Sequence, residues 1–133
     1  MDLKLKWINP DGLEKNMKAT AHKSGKLGFT MEAAEKMQLA SDKSASIAVN
    51  ELNPSDSNLY VVINPKVVDG AFKISKAWQY YYINTKALFD SLKIDYKKDW
   101  VVYDITKDNI DGQQIYIFKR RERERKGEKV NET

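Results

Sequence analysis

The residue types that carry most enzyme chemistry are scarce in this chain: it has no cysteine, and His22 is the only histidine among its 133 residues. Disulfides, thiolate zinc sites and a thiol nucleophile are thereby excluded, and one imidazole is too little for a transition-metal cage. A serine or threonine nucleophile needs a base beside it. The one imidazole sits in "TAHKSGK", a turn in which a solvated surface histidine is expected. Gly25 and Gly28 in "KSGKLGFT" lack the spacing of a Walker loop or a dinucleotide fingerprint, and a tight hairpin accounts for them. Asp108 and Asp111 in "TKDNIDG" could grip a hard cation, yet Asp, Asn and Gly gather in turns anyway because their side chains bond nearby backbone. No catalytic constellation, metal site or cofactor site emerges, and the expectation is a non-enzymatic protein.

Rings and cations offer more. "AWQYYYI", read as a strand, sets Trp78, Tyr80 and Tyr82 on one face and Tyr81 and Ile83 on the other. A domain this small cannot easily bury both faces. With Lys73, Lys76 and Lys86 alongside, the exposed rings could stack unpaired bases while the lysines follow phosphate. Aromatic strands also serve as core on one side and subunit contact on the other, and both readings stay open.

The net charge of +4 is concentrated at the end of the chain: residues 119–133 carry +3 and residues 1–118 only +1. The stretch "KRRERERKGEK" alternates signs, as a solvated tail does, whether it extends a last element or stays disordered. Arg120, Arg121, Arg123 and Arg125 could add salt-sensitive phosphate contacts.

The elements that must position these residues show a repeat. Ile8-Asn9-Pro10 recurs as Ile63-Asn64-Pro65, 55 residues on, and the same displacement pairs "GFTMEAAEKMQL" with "INTKALFDSLKI". In each segment the apolar positions (Ala33, Ala34, Met37; Leu88, Phe89, Leu92) form one helical stripe, with Thr30 and Asn84 or Thr85 as caps. Helices of about two turns are marginal in water and must lean on a sheet. "SASIAVNEL", "LYVVINP", "DWVVYDI" and "QIYIFKR" supply strands, and the displacement matches Ile47 with Val102 and Val62 with Ile117. Hairpin arms, "EKNMKATAHK" and "AFKISKAWQYYYI", precede each unit.

The expected fold is therefore α+β: two strand-helix-strand-strand units, about 3–63 and 63–118, forming one antiparallel, barrel-like core with two short helices, followed by a charged tail from 119 to 133. A single meander of strands with two helices is the alternative. No apolar run approaches the ~20 residues of a spanning helix, and the opening Met-Asp-Leu-Lys-Leu-Lys lacks a secretory apolar region, so a cytoplasmic protein is expected.

The segment "MKATAHKSGKLGFTMEAAEKMQLASDKSASIAV" resembles the swapped-hairpin DNA-binding domains of the AbrB, MraZ and SpoVT kind. Gly25-Lys26 stands at that family's Gly-basic turn, Leu27 and Phe29 form its alternating apolar pair, Met37 and Leu39 end its helix, and Asp42 occupies its turn. Thr30 and Ser41 depart from its usual Pro and Gly, and Tyr80-Tyr81 replaces the Gly-basic pair in the second unit. The resemblance implies DNA contact through Lys18, His22, Lys23 and Lys26. Together with Lys73, Lys76, Trp78, Tyr80, Tyr82, Arg120, Arg121 and Arg123, these form the candidate nucleic-acid-binding set of a dimer or pseudo-dimer. A protein-interaction module that self-associates through the aromatic strand is the second expectation.

Overall fold

Short runs of alternating apolar and polar residues, punctuated by turn residues, become strands that show one face to a common interior. The computed structural model describes residues 2–8 and 17–121. The elements are β1 (Lys18–Ala21), β2 (Lys26–Phe29), α1 (Met31–Lys36), β3 (Ser44–Ala48), β4 (Leu59–Asn64), β5 (Phe72–Ala77), β6 (Tyr80–Asn84), α2 (Lys86–Ser91), β7 (Val102–Ile110) and β8 (Gln113–Arg121). Among the described residues the eight strands close into an antiparallel barrel in the order β1-β2-β6-β5-β3-β4-β8-β7. None of the described helices is long and apolar enough to cross a membrane.

This corrects the expected α+β class. Strand takes 43% and helix only 11% of the described residues. The apolar stripes do mark helices, but each is six residues long and buries a single side chain, Ala33 or Phe89. Elements that short cannot form a layer of their own.

An eight-stranded barrel has an interior just wide enough to be filled by side chains. Leu27, Leu59, Val61, Ile74, Ile83, Phe89, Tyr103 and Phe118 fill it, each at most 2% exposed. Burial of each such side chain contributes about 1.5–3 kcal/mol. Size alternates around the wall. Ala19 lies between Phe29 and Tyr103 in register, and the small residue leaves room for the two rings, both of which pack edge-on or tilted against Phe118.

Exchanging β1–β4 with β5–β8 leaves the strand order unchanged. Each first hairpin is inserted into the other repeat: β1 pairs with β7, β5 with β3, and β2 with β6. The constant displacement expected from the sequence fails, however. Leu27 and Tyr81 hold equivalent places opposite Ala21 and Lys76 but are 54 residues apart, because the first hairpin has a three-residue loop ending on left-handed Gly25 (φ 91°) and the second a two-residue loop, Trp78–Gln79. Ala45 and Ile105, opposite Ile63 and Phe118, are 60 apart. The expected match of Ile47 with Val102 is thus out of register by five residues, an odd slip that puts the two side chains on opposite faces.

Three boundaries also move. Trp78 lies in a turn rather than in the strand that holds Tyr80 and Tyr82. Asp108 belongs to β7, and the turn expected over "TKDNIDGQ" contracts to Asp111–Gly112, both at positive φ. β8 continues to Arg121, taking in the first three residues of the expected tail, and Arg123 and Arg125 lie outside the described residues.

Candidate nucleic-acid interface

Leu27, Phe29 and Ile83 point inward, so their strand neighbours Lys26, Gly28 and Tyr82 stand on the outside of β2 and β6. Gly28 is flanked in register by Thr20 and Tyr82, and Tyr82 in turn by Gly28 and Ser75. Tyr82 is half-buried between these small neighbours. Gly28 forms a hollow: a Cβ built there would lie 1.6 Å from the Tyr80 hydroxyl oxygen and 2.7 Å from His22 Nε2. A glycine within a strand marks such close approach. The Tyr80 side chain fills the hollow and its hydroxyl is hydrogen-bonded to His22 Nε2.

That bond joins the two hairpins and fixes the ring. Tyr80 stacks on Tyr82 with centroids 6.3 Å apart and planes 25° from parallel, and Lys26 Nζ stands 4.8 Å above the Tyr82 ring. Burial pushes the Tyr80 phenol above its usual range. The hairpin is anchored from below, where the buried Thr85 hydroxyl donates to the Gly25 carbonyl at 2.8 Å. Thr85 is thereby diverted from capping α2, and the Asn84 side-chain oxygen accepts the Lys86 N–H instead. Thr30 does cap α1, accepting from Ala33 N at 3.2 Å.

Of the expected set, His22, Lys26, Tyr80 and Tyr82 converge. Lys23 is exposed in the adjoining loop, at the end of the strip where Lys26 faces Asn84. Trp78, 93% exposed, crowns the opposite end. Lys76 turns to the other face of the hairpin, its Nζ 5.4 Å from the Tyr81 centroid. Lys73 lies at the seam with β3, opposite Ser44, and Lys18 is half-buried on β1 opposite Asp104.

The arginines are elsewhere. Arg121 Nη2 and Nε donate to Asp104 at 2.5 and 3.2 Å, so its charge is already paired. Arg120 sits on the inner-face side of β8, opposite Tyr103, with Asp99 at 3.9 Å. Lys86, named with the aromatic strand, is ion-paired with Asp90 at 3.2 Å on α2. At the other candidate, Asp108 Oδ1 accepts from Asn109 N, and no group of three metal-ligating side chains occurs among the described residues. The tight hairpin expected to account for both glycines accounts only for Gly25; Gly28 lies inside β2, and its role was missed although a glycine in an alternating strand was the signal. No protein-family model, curated protein or solved structure matches the chain.

Proposed function

We propose that this protein binds nucleic acid through the outer surface of β1, β2, β6 and β5, without catalysing a reaction. One observation carries the reading: His22 and Lys26 from the first hairpin meet Tyr80 and Tyr82 from the second in one exposed, pre-formed cluster. Tyrosine faces accept unpaired bases of any identity, and Lys23 and Lys26 attract the backbone. The likeness of the first unit to swapped-hairpin DNA-binding domains supports the same surface. We take the cytoplasm, where nucleic acid is at hand, as the site of action.

Fluorescence anisotropy with labelled single- and double-stranded oligonucleotides at two salt concentrations tests the reading. Single strands should bind more tightly, with affinity falling on added salt by a log–log slope of about −0.7 per neutralised phosphate. Replacing Tyr80 and Tyr82 together by alanine should weaken binding at least tenfold, given the ~1–3 kcal/mol of a stacked base. Absence of binding at low salt would overturn the proposal.

A protein-interaction module is the second reading, and Trp78 favours it. A bulky residue held at φ 66° on an exposed hairpin tip is a strained arrangement of the kind that accompanies function. If it is correct, Trp78→Gly abolishes self-association in light scattering while leaving oligonucleotide affinity unchanged.

A further inference from the structure

The pseudo-symmetric topology creates a pair of cavities, each between the end of one repeat's helix and the second hairpin of the other repeat. The first, about 400 Å³, is lined by Val49, Pro54, Leu59, Leu92, Ile94 and Arg120. The second, about 490 Å³, has Met37, Gln114 and Pro65 where the first has Leu92, Leu59 and Arg120, each pair 55 residues apart. The backbone frame is shared and the chemistry is not.

Only the first combines an apolar floor with a guanidinium. Leu59 is fully buried and Leu92 is 37% exposed, so an apolar strip runs from base to rim on one side, facing the polar residues 55–58 on the other. The Arg120 side chain is only 22% exposed. Its one acidic neighbour, Asp99, stands 3.9 Å away, beyond hydrogen-bond length, and it donates no hydrogen bond to a described residue. Arg121 next to it makes two. A guanidinium carries five donors in a fork that matches a carboxylate, and leaving them unmet while covered is costly. Two acids share the lining, and neither answers Arg120: Asp56 already accepts from the Tyr60 hydroxyl (2.7 Å), Asn58 N (2.9 Å) and Asn50 Nδ2 (3.1 Å), and Glu51 is exposed and forms no ion pair with it among the described residues.

We propose that this cavity binds a small organic anion with an apolar body, a medium-chain carboxylate, with Arg120 gripping the carboxylate and Leu59, Leu92 and Ile94 enclosing the chain. The volume falls within the range of about 300–1,000 Å³ typical of small-molecule sites. This site is separate from the aromatic surface and stands or falls independently of it.

The test titrates the full-length protein with octanoate and with octan-1-ol, followed by calorimetry and amide NMR. Octanoate should bind about tenfold more tightly than the alcohol, as a charge-assisted bidentate contact warrants, with shifts centred on Leu59, Leu92 and Ile94. Arg120→Gln should remove that preference and Arg121→Gln should keep it. Leu92→Asp, a change at the exposed rim, should weaken octanoate at least tenfold while the fold is retained. Equal affinity for acid and alcohol, no binding of either, an unchanged preference in Arg120→Gln, or shifts centred on Lys36, Lys43 and Lys107 of the second cavity would each overturn the proposal.

Discussion

Tyr80 can lie flat against the barrel because residue 28 has no side chain, and it stays there because His22 holds its hydroxyl. Gly28→Ala should therefore act at a distance of one ring. The new methyl displaces Tyr80, breaks the contact with His22 and separates the Tyr80–Tyr82 stack. We expect oligonucleotide affinity to drop to the level of Tyr80→Ala, the double variant to add nothing further, and stability in urea to fall by about 1 kcal/mol because a flexible side chain can give way. Additive losses would show that the two residues act separately. At this scale the sequence was half legible. Lys26, Tyr80 and Tyr82 could be chosen by type and parity, but the glycine that accommodates them could not. Neighbouring residues such as Arg120 and Arg121 looked interchangeable, whereas strand alternation sends one to Asp104 and the other to the first cavity.

Among the elements, the helix ends show how local chemistry fixes a chain's exit. After α1 and after α2 the backbone passes through a left-handed residue, Gln38 (φ 56°) and Lys93 (φ 60°). Leu39 N then bonds Ala34 O and Ile94 N bonds Phe89 O, both at 2.9 Å, which is the Schellman arrangement. It places Leu39 and Ile94 against the residues that begin the same turn. Neither Gln nor Lys favours this conformation, so Lys93→Gly should raise stability by about 0.5–1 kcal/mol, read as a higher urea midpoint with an unchanged slope. The Met-x-Leu and Leu-x-Ile endings made both helices readable, because an apolar stripe and its cap are local signals. Strand faces were less so. They depend on loop lengths of two or three residues, and a single extra residue in the first hairpin reverses the meaning of the positions that follow.

For the molecule as a whole, the closed wall makes its aromatic interior sensitive to alkali. Burial pushes the Tyr103 phenol up to about 12 and raises Tyr80, Tyr96 and Tyr116 in the same direction. An unfolded phenol ionises near pH 10. Between those values the unfolded chain releases a proton that the native chain keeps, so the contribution is complete below about pH 10 and is lost as pH rises towards 12. Tyr103 alone accounts for about 2–3 kcal/mol of that loss. Urea midpoints at about pH 9 and about pH 11.5 should differ accordingly, with a smaller difference in Tyr103→Phe. The class of the fold was the part least visible beforehand: periodicity reveals that strands and helices exist, while closure depends on which strands meet, and here four of the eight neighbour pairs join one half of the chain to the other.

Because each first hairpin completes the other half's wall, the stretch from Pro65 to Ala71 is the only covalent bridge between two bodies that already hold each other by main-chain pairing. Nothing in those pairings requires both bodies to come from one polypeptide. Two molecules refolding together in a concentrated solution can trade halves and emerge entangled, each barrel intact and only the bridging segments rerouted.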